Sequence, residues 1–569
     1  MLCSISAFSL LQLLIFALCI DKTKLVRASN LPFSTVNILV VTDVHSWVAS
    51  RSRHEPDYNA DYGHVVSFYR TLQQQHPEQD LFFVMNGDFM DGTGLSTYPP
   101  EYLTPILLQM PWDALNIGNH ELYQNSTVEH IRDHFVDAWD GRYLTSNVLL
   151  ESTHAPIGSR YRVIHGIQSS LLTFGFLYNM TGNCDASIVE SVGEVVQSEW
   201  FHTALTTETY DAILVLAHMD YQDDLVMVIR NAIRTMVSAS IPIQFITGHS
   251  HIRAFTAVDD VSTSFEAGHY LDTVGFVSFP IATMDETDTT NKTNQFHHVF
   301  INASIDDFQR TLDMDSFDTE EGQALSQFIQ TTRESMGLFV VLGCSPQTFF
   351  LDHGLNQSDS LWKFYLDEVV AKQYLKSSTT SIFLQGTGAF RASLWEGEVN
   401  VDDIICVSPY NDTIYLVDTT VEGSLLLQLI GGQPNDIIAP VNKLGLPRYG
   451  SSLSYIDSME SYHLYIPKFD MTNILERLNS LAGGSIFTAT LQQSDIGLDV
   501  TTTSLWIKYI EFHWNCTVTT SRYDTILQWK WVMAVLFMLL LVVWMAGLKW
   551  FFPCCCHHRQ RDEGYLSLE

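Results

Sequence analysis

Positive charge is what this chain has least of. Its 569 residues include 30 Lys and Arg against 64 Asp and Glu, a net charge of −34. A chain so acidic repels polyanions, which excludes nucleic acid and heparin as general partners. An anionic substrate would need positive charge supplied locally, and metal ions can supply it. Cysteine is sparse between the two long hydrophobic segments, where only Cys184, Cys344, Cys406 and Cys516 occur. An even set of that size permits three disulfide pairings. No internal repeat or low-complexity tract stands out. Gly386-x-Gly388 lacks the third glycine and the helix start of a dinucleotide fingerprint, so that reading is set aside.

Hydrophobic residues make up 46% of the chain and aromatics 12%. That suffices for folded domains, and about 150 residues per domain predicts roughly three or four units or two large ones. Phe8 to Ile20 has the length of a signal-peptide core, and Val26-Arg27-Ala28 offers small residues for cleavage, so residues 1–28 read as a signal peptide. Lys22, Lys24 and Arg27 follow the apolar run instead of preceding it, which keeps an uncleaved anchor as the alternative. Trp531 to Leu548 is 18 residues without a charge, flanked by Lys530 and Lys549. At about 27 Å as a helix it predicts one transmembrane span over 531–548.

The 549–569 tail carries Cys554-Cys555-Cys556, suited to palmitoylation or to remaining as reduced thiols, and basic residues that favour the cytosolic side. Tyr565-Leu566-Ser567-Leu568 resembles a tyrosine-based sorting signal. Seven Asn-x-Ser/Thr sequons, starting at Asn125, Asn179, Asn291, Asn302, Asn356, Asn411 and Asn515, lie between the two segments. Together these predict a single-pass type I membrane protein. Its body would be luminal or extracellular, in a vacuole or lysosome or at the cell surface.

Val36 to Thr42 is a β-branched run of strand length that ends in Asp43-Val44-His45. Leu81 to Met85 ends in Asn86-Gly87-Asp88. Trp112 to Asn116 leads to Ile117-Gly118-Asn119-His120-Glu121, Ala212 to Leu216 leads to His218, and Ile243 to Ile246 leads to Gly248-His249-Ser250-His251. Helical spacing marks Tyr62 to Gln75, Gln197 to Leu205 and Leu225 to Val237. Alternating strands and helices predict an α/β domain over 34–300. The acidic stretch within 301–335 reads as a linker, and a second unit over 336–515 begins with a strand near Phe339 and a helix over Leu361 to Tyr374.

Every one of those strands delivers its polar residues at its C-terminal end, the edge where open α/β sheets build sites. Carboxylate, imidazole and amide donors suit Zn, Mn or Fe, and this set is large enough for two divalent ions. These strand ends resemble those of the calcineurin-like metallophosphoesterases, and within them the 5'-nucleotidase and 2',3'-cyclic phosphodiesterase family. The resemblance extends through Gly268-His269-Tyr270 and Leu271 to Phe279. It implies a metallophosphoesterase β-sandwich flanked by helices, with a C-terminal mixed α/β domain of the 5'-nucleotidase type. It also implies that Asp43, His45 and His251 bind one metal, Asn119, His218 and His249 the other, and that Asp88 bridges. His120 would serve the leaving oxygen, and no covalent enzyme intermediate would form.

The nucleotidases place an aspartate three residues after that histidine, where this chain has Tyr123. Asp91 instead matches the related protein serine/threonine phosphatases, which predicts an Asp91–His120 pair. Glu121 reads as a brace for the loop. In the second unit, Gly386 to Leu394 and Val407 to Thr413 resemble the nucleotidases' Gly-rich Arg motif and their Pro-Phe segment. Arg391 would then contact phosphate or ribose, and Tyr410 would stack on a base. Gln357 to Trp362 lacks the family's arginine, and the Gly-Gly-Asp-Phe clamp is missing near Tyr462 to Pro467. Tyr449 or Tyr455 could form the second stacking face.

The leading expectation is a dinuclear-metal phosphomonoesterase of the 5'-nucleotidase type that takes a small phosphoester, a nucleotide before others. A phosphatase or phosphodiesterase for a cyclic or non-nucleotide ester is the alternative, and a catalytically silent binding ectodomain is the second.

Overall fold

Apolar side chains that alternate along short β-branched runs decide the layering. In Val36–Val41, Val36, Ile38 and Val40 enter one core while Leu39 and Val41 enter another, so the strand is buried on both faces. Parallel strands require that double burial, because a layer covers each face. The computed structural model describes residues 29–51, 54–281, 295–434, 446–494 and 497–516. The expected signal peptide, transmembrane helix and tail lie outside them. Among the described residues no helix is long and apolar enough to cross a membrane.

Two six-stranded sheets make the first half. One runs His297–Asn302, Thr273–Phe279, Val36–Val41, Phe82–Asn86, Ala114–Asn116, Tyr143–Leu144. The other runs Arg253–Asp259, Ser262–Ala267, Ile243–Thr247, Ala212–His218, Ser170–Leu177, Tyr161–His165. Val36–Val41, Phe82–Asn86 and Ala114–Asn116 are mutually parallel, as are Ser170–Leu177, Ala212–His218 and Ile243–Thr247. Ile38, Val40 and Val84 of the first sheet pack against Leu214, Leu216 and Ile246 of the second. Helices cover the outer faces. Tyr62–Gln75 lies on the first sheet, and Glu199–Thr207 and Asp224–Met236 lie on the second.

Residues 301–335, expected as a linker, carry two helices, Ile305–Leu312 and Glu320–Ser335. The second crosses Tyr62–Gln75 so closely that a Cβ on Gly63 would meet the Gly322 carbonyl oxygen at 2.2 Å. Its contact face is Gly322, Leu325 and Ile329, too few apolar groups to stand out in an acidic stretch. Beyond it, Tyr449–Ser451, Ser381–Gly386, Ser461–Pro467, Ile414–Val417 and Ala489–Leu491 form a mixed sheet, with Val421–Glu422 paired to Ser461–Pro467. The helix Leu361–Phe364 continues as the wider-turned Tyr365–Tyr374 and packs Trp362 and Tyr365 with Trp506. The described residues from 29 to Trp514 group as one compact unit. Cys184 and Cys406 are free thiols, while Cys344 is in a disulfide.

Candidate active site and metal centre

Five strands end at one edge of the paired sheets, and each hands its next residues to the same place. Asp43 and His45 follow Val36–Val41, Asp88 and Asp91 follow Phe82–Asn86, and Asn119 and His120 follow Ala114–Asn116. His218 ends its own strand, and His249 and His251 follow Ile243–Thr247. The backbone there is unusual for side-chain-bearing residues. φ is +50° at Asp43, +48° at His45, +52° at Asp88, +68° at Asp91, +72° at His249 and +60° at His251. Such conformations cost on the order of 1 kcal/mol or more each and cluster where function requires them.

Two buried carboxylates hold this strained backbone. Glu121 Oε2 accepts from the backbone N–H of Asp88 (2.9 Å) and Gly118 (2.8 Å), and Oε1 accepts from Phe89 (3.0 Å) and Met90 (3.3 Å). Glu266 accepts from the Ser250 hydroxyl at 2.7 Å and the Ile252 N–H at 3.1 Å, which fixes the loop between His249 and His251. Gly118 tolerates no side chain, since its Cβ would lie 2.2 Å from Asp88 Oδ1.

The donor atoms converge as three overlapping groups: Asp43, His45 and His251; His45, Asp88 and His120; Asp88, His218 and His249. Within each group they lie within 4.8 Å of one another. Backbone carbonyls fix the tautomers of the buried rings. His45 Nδ1 donates to Met90 O at 2.6 Å, and His218 Nδ1 donates to Asn86 O at 2.8 Å, so both Nε2 atoms face the cluster. His45 Nε2 then lies 3.2 Å from His251 Nε2. His218 Nε2 lies 3.1 Å from Asp88 Oδ2 and 3.2 Å from Asn119 Oδ1. Tyr123 sets that amide, because its hydroxyl oxygen accepts from Asn119 Nδ2 at 3.0 Å.

Converging lone pairs of this kind are satisfied only by protons or by cations. Burial opposes charge on His218, but the carboxylates of Asp88 and Asp43 outweigh it and push the imidazole up to about 10. Burial, aided by Asp88, pushes Asp43 up to about 7. Burial with Arg391 and His120 nearby holds His45 neutral, well below the usual imidazole range. A divalent cation held there would take the place of the His218 proton and meet the same lone pairs with more charge. The donor set therefore fits divalent cations.

Beside the cluster, His120 Nδ1 lies 2.7 Å from Asp91 Oδ2. Its other nitrogen, Nε2, accepts from Arg391 Nη2 at 3.0 Å. Arg391 also donates through Nη1 to the Tyr270 hydroxyl at 2.6 Å and through Nε to the Tyr410 hydroxyl at 2.8 Å. The Tyr270 ring stacks on Trp47 with centroids 5.7 Å apart. Arg391 and Tyr410, both from the second half of the chain, thus reach the strand-end cluster.

The profile of the calcineurin-like phosphoesterase family matches residues 36–253. An uncharacterized protein of Schizosaccharomyces pombe is 30% identical over 493 residues, 78% of this chain and 81% of that one. The chain belongs to the calcineurin-like phosphoesterase family. A secreted protein of Arthroderma benhamiae is 27% identical over 442 residues, 68% of this chain and 66% of its own length. Among solved structures, the 5'-nucleotidase of Candida albicans superposes with a TM-score of 0.76 at 23% identity, covering 85% of this chain and 99% of that one. The 5'-nucleotidase precursor of Thermus thermophilus gives 0.60 at 13% identity, covering 85% and 97%. These likenesses show the fold. The family and the His/Asp cluster together point to a binuclear divalent metal site.

In this calcineurin-like phosphoesterase neither Tyr449 nor Tyr455 has a ring contact with Tyr410 among the described residues. Tyr449 is buried and donates to Asn473 Oδ1 at 3.1 Å, and Tyr455 is 65% exposed. Two rings stack with Tyr410, each with centroids 6.3 Å away: His120 and Phe469, the latter 71% exposed. Pro467-Lys468-Phe469-Asp470 was a legible signal, an aromatic set between turn and charged residues at a strand end. Glu266 was legible too, as a carboxylate inside the otherwise uncharged strand Ser262–Ala267. Tyr270 lies in Gly268-His269-Tyr270, where nothing local marks it as a partner for a distant arginine.

Proposed function

We propose that this family member is a dinuclear-metal phosphomonoesterase of the 5'-nucleotidase type that hydrolyses nucleotides. The observation that carries the reading is Arg391. The second half of the chain places a guanidinium, held by the hydroxyls of Tyr410 and Tyr270, 3.0 Å from His120 at the edge of the donor cluster, with Phe469 beyond on the Tyr410 ring. A cation for phosphate and an aromatic face for a base thus stand on one side of the hydrolytic centre.

Asp43, His45 and His251 would hold one ion, Asn119, His218 and His249 the other, and Asp88 both. When bound, such ions supply Lewis acidity toward phosphoryl oxygens and lower the pKa of water. The chain's own residues do the rest. Arg391 leaves His120 for the phosphate oxygens, where its planar fork is better matched. That frees the His120 Nε2 lone pair to take up a proton from water and pass it to the leaving alkoxide, while Asp91 accepts from Nδ1–H and stabilises the ring in its charged form. Tyr410 and Phe469 grip the base. In this reading residues 34–300 are the catalytic domain and 336–515 the substrate domain. The body would be luminal or extracellular, anchored by the 531–548 helix.

The test is metal content and substrate preference on the full-length protein in detergent. About two transition-metal ions per chain, with AMP cleaved faster than glycerophosphate or a cyclic nucleotide, supports the reading. A preference for glycerophosphate or the cyclic nucleotide removes its nucleotide half. Absence of both metal and hydrolysis leaves the binding ectodomain.

A further inference from the structure

Asp91 has a second partner that neither the metal cluster nor the histidine supplies. While its Oδ2 faces His120 Nδ1, its Oδ1 accepts from the hydroxyl of Tyr98. Its backbone N–H donates to Ser96 Oγ at 2.8 Å, so one short loop encloses the residue. That loop is rooted on two sides. Thr93 N–H donates to Ser46 Oγ at 2.8 Å, next to His45, and Gly94 N–H donates to Asp402 Oδ1 at 2.7 Å.

The Tyr98 ring is 40% exposed and belongs to none of the hydrophobic cores, so packing does not explain the residue. What it offers is its hydroxyl, pointed at a nearly fully buried carboxylate. A carboxylate bound through one oxygen can turn about its broad terminal torsion. One held through both oxygens cannot, and the imidazole hydrogen-bonded to it is held as well. Burial and the Asp91 charge both push the Tyr98 hydroxyl upward, which keeps it a donor.

We propose that Tyr98 is a positioning residue for the Asp91–His120 pair, setting the plane of the Asp91 carboxylate so that His120 presents Nε2 to the leaving oxygen. The inference rests on the reading of His120 as the leaving-group residue. It adds a third member, from the partly exposed loop after Asp91, to a pair otherwise built from strand ends.

The test uses full-length protein and two esters, a nucleoside monophosphate, whose alkoxide must be protonated as it leaves, and nitrophenyl phosphate, whose phenolate leaves without help. Tyr98→Phe should lower kcat on the nucleotide about three- to tenfold with KM within about twofold, the effect of one hydrogen bond acting through another. On nitrophenyl phosphate kcat should fall by less than about twofold. In an Asp91→Asn background the same change should add nothing. A half-exposed ring makes the Phe variant compatible with folding, which its melting temperature checks. Equal losses on both esters, no loss on the nucleotide, or additivity with Asp91→Asn overturns the positioning role. Wild-type protein inert toward both esters overturns the phosphoesterase reading itself, a result distinct from the other three.

Discussion

Replacing Glu121 by Gln removes one oxygen and changes almost nothing else in size. The two oxygens of Glu121 accept four backbone N–H groups, from Gly118, Asp88, Phe89 and Met90. In Glu121→Gln one oxygen keeps two of those bonds, and the new amide turns its own N–H groups on the other two. A buried donor left without an acceptor costs about 1–3 kcal/mol, so two cost about 2–6 kcal/mol. At about 2 cal/mol/K of unfolding entropy per residue, a unit of several hundred residues moves its melting temperature by about 1–2 °C for each kcal/mol, which predicts a drop of about 2–10 °C. Calorimetry of the chelator-treated full-length protein measures it. Because the N–H groups belong to the loop that positions Asp88, the variant should also gain less thermal protection from added metal than the wild type. A Gln variant that melts within about 1 °C of wild type would refute the brace, since unsatisfied donors in a rigid loop have no cheap escape.

Other perturbations separate the remaining parts of the site. Phe469→Ala should raise KM for a nucleotide about tenfold, through loss of a stacking face, and leave glycerophosphate kinetics unchanged. Asp402→Ala should lower stability by about 2–4 kcal/mol in urea melts, because it strips the Gly94 N–H and the Arg333 guanidinium of a shared acceptor, 2.7 Å from each. Asp113 is held up at about 6 by burial, against an ordinary 3.8. An acid with a raised folded-state pKa favours the fold below its unfolded value and loses that contribution as pH rises through about 6, so Asp113→Asn should flatten stability between pH 4 and 6.5 and gain about 1–2 kcal/mol at pH 7.5.

Much of the catalytic half could be read from the chain because strands buried on both faces announce themselves. Val36–Val41 and Ala212–His218 are continuous apolar runs, and each gives way abruptly to polar residues, so sheet edge and donor set were visible together. The helix over Tyr62–Gln75 was visible in its helical spacing, and the structure adds Asp61 as its cap. Contacts between distant segments were harder to read. Arg391 lies 271 residues from His120 in sequence, and no local pattern encodes the 3.0 Å between them. Phe469 and the helix Glu320–Ser335 were missed for different reasons. The first carries a local signal, an aromatic at a strand end, but its partner Tyr410 is remote in sequence, and the second hides a small contact face in an acidic sequence.

Tyr123 explains why the histidine's support comes from so far away. The nucleotidases that this chain resembles carry an aspartate at that place, inside the same turn as the histidine. Here the tyrosine is already committed, its hydroxyl oxygen accepting from Asn119 Nδ2 and so turning Asn119 Oδ1 toward His218. The carboxylate for His120 is drawn instead from Asp91, past the end of the neighbouring strand, and its plane from Tyr98 further along the same loop. The orientation of His120 therefore depends on two strand ends staying in register, and Glu121 is the residue that ties those two ends together. A brace beside the histidine and a partner across from it are two parts of one arrangement, because an aspartate borrowed from another strand is useful only if that strand end cannot move.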